Sequence, residues 1–245
     1  MLYLLYSADL PTTTEVTTTT FADDTAAIAS HVNPVIAFQM LQTNLNAIQK
    51  WLKKWRIKAN KTKSVHVTFT TRRETCPQVT LNDQPISKSE FAKYLGIYFD
   101  RRLNWKTHIF TKRKQLGLKL RKMFWLLRRG SQLSVENKLL LYKTILKPVW
   151  TYGIQLWGTA SNSNVEILRF QSKVLRMILD APWFVTNDTI QCDLQVPSVK
   201  EEITKCCTDY SNRLKNHPNI LTAHLMKQSP GMRRLKRKIP TDFIT

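Results

Sequence analysis

The sequence predicts an α+β chain, with helix and strand mixed over residues 1–100 and helices alone beyond. Three observations carry this. β-prone runs broken by turn residues crowd the first part. Apolar residues recur at helical spacing through the second. The charge also changes after Asp100, where a long stretch carries many bases and no acid.

Taken in order, residues 2–8 read as the end of a buried helix that Pro11 stops. "TEVTTTTF" and "TAAIAS" are short β-prone and apolar runs, and Ala22-Asp23-Asp24 between them suits a tight hairpin. Asn33 followed by Pro34 predicts a helix N-cap with Pro at the first position. Leu41, Leu45, Ile48, Leu52 and Trp55 then form one helical face. "KSVHVTFT" alternates and predicts a strand with Val65, Val67 and Phe69 buried. "QVTLNDQPI" predicts a hairpin turning at Asn82-Asp83. "AKYLGIYFD" reads as a strand with Gly96 inside it, the mark of a bulge or a close backbone approach. Helices are predicted over about 105–129, 134–149, 162–179 and 198–215. Gly130 is expected as the C′ residue of the first, Ser134 with Asn137 begins the second, and Ser198 with Glu201 forms a capping box.

The bulk numbers narrow the function. Hydrophobic content of 42% supports a real core. Lys plus Arg is 38 against 17 acids, a net charge of +21, which points to a polyanionic partner such as nucleic acid. The four cysteines form no C-x-x-C pair, which disfavours a zinc site and suits a reduced intracellular setting, nucleus or cytoplasm. The apolar start is too short for a signal peptide or a membrane span. It reads as the middle of something buried, so the chain is expected to begin partway through a domain.

Residues 101–130 hold eleven Lys or Arg and no acid. Ile109, Leu116, Leu120, Met123 and Leu127 make an apolar stripe expected to face a core. The opposite face offers Lys112, Arg113, Lys114, Lys119, Arg121, Lys122, Arg128 and Arg129 as phosphate contacts, with strongly salt-dependent binding. A membrane-surface helix is the rival reading. A second cluster, "RRLKRK" at 233–238, suits a nucleic-acid arm, an import signal or a disordered tail.

Asp23 and Asp24 raise the question of metal chemistry. On a regular strand they would face opposite ways, but at a turn both can serve one cation cluster. Beside a basic surface that cation is most simply Mg²⁺ handling phosphate. The plain alternative is an ordinary polar turn, where Asp is common.

The order of the motifs resembles that of reverse transcriptases of jockey-like non-LTR retrotransposons. "FADD" at 21–24 is similar to their metal-binding box, and "LYLLYSADLP" to its approach. Asn60, Lys63 and Ser64 in "WLKKWRIKANKTKSVHVTF" match the next motif. "KYLGIYFD" resembles the strand pair that grips the primer end. "LLLYKTILKPVWTYGIQLWGTAS" and "LRFQSKVLRMILDAPW" look like the helical region that follows.

The resemblance implies a partial polymerase palm of β-hairpin, helix and small antiparallel strands over 1–100, and a helical thumb and C-terminal region over 101–228; the basic tail over 229–245 reads as disordered. It implies Asp23 and Asp24 as metal ligands and catalytic residues, with Asp23 the direct ligand. Lys63 would be a general acid near the nucleotide phosphates. Leu95 and Gly96 would lie against the primer backbone. Mg²⁺ is the implied cofactor; an RNA template, the RNA/DNA duplex and deoxynucleotide triphosphates are the implied partners, with no membrane.

The family's fingers and its first palm motif, which supplies a further Asp, have no counterpart here. The only acids before Asp23 are Asp9 and Glu15, and neither matches. The chain is therefore expected to resemble the C-terminal part of such an enzyme and to polymerise nothing alone. The rival reading is a non-catalytic nucleic-acid-binding remnant, which is also how such a fragment would behave alone. A nuclease reading finds no His-Asp pairing among the scattered His31, His66, His108, His217 and His224.

Overall fold

The structure, a computed structural model, describes residues 8–71, 76–160, 166–215 and 217–219. The apolar run over 1–7 and the basic tail over 229–245 lie outside the described residues. The chain divides into two compact units, Met1–Leu103 and Asn104–Thr245.

The first unit is organised on helix α1 (Pro34–Lys54). Asn33 caps it: its Oδ1 accepts from the Val35 N–H at 2.9 Å, and Pro34 occupies the first turn, where a missing N–H costs nothing. Ile48 and Leu52 are buried on the predicted face. So is Asn44, whose amide donates to the Thr13 hydroxyl at 3.2 Å. Strands β1 (Val16–Phe21) and β2 (Asp24–Ala29) form an antiparallel hairpin against α1.

Two further hairpins also turn through two residues. β4 (Thr80–Leu81) and β5 (Gln84–Pro85) turn at Asn82-Asp83, with φ of 53° and 57°. β7 (Phe91–Tyr94) and β8 (Ile97–Asp100) turn at Leu95-Gly96, with φ of 48° and 76°. Positive φ at both central residues matches the right-handed twist of the flanking strands. Gly96 therefore lies at a hairpin tip, not inside a strand, and "KYLGIYFD" folds back on itself there.

The strand expected from "KSVHVTFT" shrinks to β3 (Val65–His66). It pairs parallel with β6 (Ser87–Lys88), not antiparallel. The β4–β5 hairpin lies between them in the chain. The expected burial also fails: Val65 is 44% and Phe69 is 42% exposed, because a two-residue ladder offers no sheet face to bury them.

The second unit is helical. α2 (Lys106–Leu127) runs first, then α3 (Val135–Leu141), a π-helical turn (Tyr142–Leu146) and α4 (Lys147–Thr151). The short α5 (Ile154–Trp157) follows, then α6 (Glu166–Leu179), α7 (Asn187–Asp193) and α8 (Val199–Lys215). Ser134 caps α3 through the Asn137 N–H at 3.3 Å. The Ser198–Glu201 box closes both ways, at 2.8 and 3.2 Å. Gly130 does not cap α2: Arg128 ends the helix in extended conformation, and Gly130 has no positive φ. The Lys138 ammonium instead donates to the Arg128 carbonyl at 3.1 Å, satisfying that end.

All five residues of the α2 stripe are buried, with His108 beside them. The elements packed against α2 bury Tyr142, Leu146, Trp150, Phe170, Val174 and Leu175, none more than 1% exposed. Gln171 crosses this core, donating to the Tyr142 hydroxyl at 3.2 Å and to the Pro197 carbonyl at 2.9 Å. Burial, with the Glu202 charge adding to it, pushes the Tyr142 phenol up to about 12 against the lowering effect of its Gln171 and Trp150 hydrogen bonds. Tyr142 begins the π-helical turn.

Candidate functional site

Phe21 and Asp24 close the first hairpin as its last paired residues, leaving Ala22 and Asp23 as the two-residue turn. Ala22 carries φ 50°, a left-handed conformation that costs a non-glycine residue about 1 kcal/mol. That strain falls next to the acid pair, a common place for it in functional turns. Both carboxylates are exposed. The apolar composition of "TTTTFADDTAAIAS" suggests buried charge; the tip avoids it by standing clear of the core.

Two neighbouring carboxylates can supply part of a hard-cation site, since Mg²⁺ takes one or two carboxylates and fills its octahedron with water and phosphate oxygens. Among the described residues, no group of three or more His, Cys, Asp or Glu side chains converges on one point. Asp9 is spoken for: it accepts from the Trp51 indole at 2.7 Å and from the Trp55 indole at 3.2 Å. The Trp51 hydrogen bond, helped by Trp55 and the Lys54 charge, holds its carboxyl below the usual range. Asp9 thus ties the N-terminal segment to α1 and does not join Asp23 and Asp24.

Lys63 sits in a turn built by Asn60. The Asn60 Oδ1 accepts from the Thr62 N–H at 3.1 Å, the Thr62 hydroxyl at 2.7 Å and the Lys63 N–H at 3.4 Å. The Ser64 hydroxyl donates to the Asn60 carbonyl at 2.9 Å. This explains the spacing of Asn60, Lys63 and Ser64: one amide and one carbonyl fix the loop, and the lysine projects from it, exposed. Leu95 and Gly96 form the tip of a separate hairpin. Among the described residues, no ion pair joins Lys63 to Asp23 or Asp24.

In the second unit, the basic residues of α2 divide in two. Lys114, Lys119, Arg121, Lys122, Arg128 and Arg129 are exposed. Lys112 and Arg113 are half-buried and turned onto aromatic rings, Lys112 at 5.1 Å from the Tyr152 centroid and Arg113 at 4.8 Å from Phe170. Lys112 and Lys119 line an open groove with Leu118, Val149 and Tyr152. Sequence reasoning missed that the outward face is also aromatic: Phe110 and Trp125 are 66% and 65% exposed, among Lys114, Arg121 and Lys122. The signal was present, since all five fall opposite the buried stripe.

The chain is 39% identical over 251 positions, its whole length, to the probable RNA-directed DNA polymerase from transposon X-element of Drosophila melanogaster. It is 36% identical over 260 positions to the RNA-directed DNA polymerase from mobile element jockey of Drosophila funebris. A third relative, the probable RNA-directed DNA polymerase from transposon BS of Drosophila melanogaster, is 32% identical over 249 positions. This chain is a relative of the jockey-like RNA-directed DNA polymerases. It spans 27% to 28% of the length of the curated polymerases it matches. No family model and no solved structure matches it. In this jockey-like chain the Asp23-Asp24 tip, the Asn60 turn and the basic helix α2 all lie within the matched region, which covers 97% to 100% of the sequence. Among the described residues, no helix is long and apolar enough to cross a membrane.

Proposed function

We propose that the chain is a segment of an RNA-directed DNA polymerase of a jockey-like retrotransposon, contributing part of the palm and a helical thumb. The observation that carries this is the exposed Asp23-Asp24 pair on a strained hairpin tip, in a chain related end to end to such polymerases. Asp23 and Asp24 would hold Mg²⁺, Asp23 directly. The ion would supply charge neutralisation at the transferring phosphoryl group and activate the attacking oxygen.

The other roles belong to the chain's own side chains. Lys63, presented by the Asn60 turn, would bind the triphosphate of a deoxynucleotide and donate its Nζ proton to the departing pyrophosphate. The Leu95-Gly96 tip would lie against the primer backbone, where the hydrogen in place of a Gly96 side chain permits close approach. The exposed cations of α2, from Lys114 to Arg129, would neutralise phosphates of the RNA template and the growing RNA/DNA duplex.

With two carboxylates and no third ligand converging on them among the described residues, the chain alone would bind template–primer without extending it. The test is primer extension on poly(A)·oligo(dT) with Mg²⁺. Duplex binding without synthesis is the expected result. Template-dependent synthesis by the purified chain would overturn the claim of incompetence. A failure to bind any duplex would overturn the polymerase-segment reading itself.

A second reading, a nucleic-acid-binding remnant with no catalytic part to play, draws on the same incomplete carboxylate set. The two separate on addition of the remaining polymerase portion: restored synthesis that Asp23→Asn abolishes favours the first.

A further inference from the structure

Between α6 and α7 the chain passes through Ala181-Pro182-Trp183-Phe184-Val185. Trp183 is 90% and Phe184 is 69% exposed, the largest exposures among the described large apolar side chains. Their rings meet edge to face, with centroids 6.0 Å apart. Exposing two aromatics side by side is costly in a loop that could fold them inward. This loop is prevented from doing so.

Arg176, on the last turn of α6, holds the loop from beneath. Its guanidinium donates to the Pro182 carbonyl at 3.0 Å, the Val185 carbonyl at 2.5 Å and the Asn187 side-chain oxygen at 3.0 and 3.2 Å. The Val185 N–H closes the turn onto the Pro182 carbonyl at 3.3 Å. All these partners are neutral, so a full positive charge remains in the loop that carries the aromatic pair. The segment 176–188 has two acids, Asp180 and Asp188. Asp180 is paired with Arg129 from the end of α2 at 2.9 Å. That ion pair sets the loop beside Arg128 and Arg129, the basic C-terminal end of the helix.

We propose that Trp183 and Phe184 form a rigid wedge that stacks on unpaired nucleotides where a single strand leaves a duplex held by α2. The inference rests on the nucleic-acid reading of α2 given above. The chemistry is that of single-strand binding surfaces: exposed π faces for bases, with cations close by for the phosphates. Pre-ordering by Arg176 removes the cost of arranging the rings on binding. Arg176 is a positioning residue, since it holds the loop and does not itself meet the base.

The test uses the full chain and two labelled RNA–DNA hybrids, one blunt and one with a short single-stranded RNA overhang carrying 2-aminopurine. Stacking predicts that the overhang tightens binding on the order of tenfold and quenches the 2-aminopurine. A Trp183→Ala/Phe184→Ala double variant should lose both effects and keep its blunt-duplex affinity and melting temperature, because both rings are exposed. Arg176→Gln should lose the quenching while retaining both aromatics, and Arg176→Lys should restore it in part. Blunt binding with no overhang advantage, or an advantage that survives the double variant, overturns the wedge and leaves the α2 reading standing. Absence of binding to either hybrid overturns the α2 reading as well. Self-association that the double variant abolishes, with both hybrid affinities unchanged, would make the loop a protein-binding surface and also overturn the wedge.

Discussion

Phe21 stands directly across the hairpin from Asp24, and the pair closes a turn in which Asp23 is the second residue. The two acids therefore occupy different backbone settings, one in the turn and one at a strand end, though they are adjacent in sequence. Because neither is buried, replacing them should not cost stability. Asp23→Asn and Asp24→Asn are expected to unfold within about 0.5 kcal/mol of the parent in denaturant titrations. In a longer polymerase containing this segment, each should lower primer extension at least about a hundredfold. A large stability loss would instead mark the pair as structural.

Helix α2 yields a salt test. Arg121 and Lys122 are both exposed on its outward side. Replacing both with Ala should reduce the slope of log affinity against log salt by about 0.9 for each phosphate no longer neutralised. Equal weakening across sequences is expected, since cations that meet phosphates carry no base information. An unchanged slope would place the duplex elsewhere.

His108 yields a pH test. It is fully buried, with its ring centroid 6.5 Å from that of Trp157. Burial, together with the charge of Lys112, pushes its imidazole down to about 4. The unfolded chain therefore binds a proton at higher pH than the folded one. The stability that His108 contributes in neutral form is complete above about pH 6.5 and is lost as pH falls toward 4. The loss is on the order of 3 kcal/mol. Chemical denaturation at neutral and acid pH should show this decline, and His108→Phe should flatten it.

Gly158 yields a packing test. A Cβ there would lie 2.5 Å from the Ile154 carbonyl oxygen and 2.8 Å from an Ile203 methyl. α5 and α8 thus approach through a glycine whose φ of −58° is ordinary, so space alone demands it. Gly158→Ala should lower stability by about 1–3 kcal/mol. Thermal unfolding of the variant checks this, and an unshifted melting temperature would show that the close approach yields cheaply.

Much of this was legible from local chemistry. Asn82-Asp83 announces its hairpin because those residues tolerate positive φ, and Asn33-Pro34 announces a helix start because one supplies an acceptor and the other needs no donor. The buried stripe of α2 follows from its spacing. The acid pair could be placed at a hairpin tip, and Lys63 singled out by its motif. Other features were not legible. Val65 and Phe69 alternate like a half-buried strand, yet no neighbouring strand covers them. Gly96 looks like a bulge until the chain is seen to reverse at Leu95. Lys112 and Arg113 count as exposed cations in sequence, but each lies over an aromatic ring contributed from elsewhere in the fold.

Turns, caps and helix faces were decided within a few residues, by φ preference, hydrogen-bonding side chains and the helical repeat. The remaining features required partners distant in sequence. Asp9 meets Trp51 and Trp55 only because α1 passes beside it. Asp180 meets Arg129 only because α6 ends against the end of α2. Tyr142 meets Gln171 only because α6 passes beside it. A side chain's periodicity says which way it points. Whether it ends in water, on a ring or against a charge depends on what the rest of the chain brings to that place.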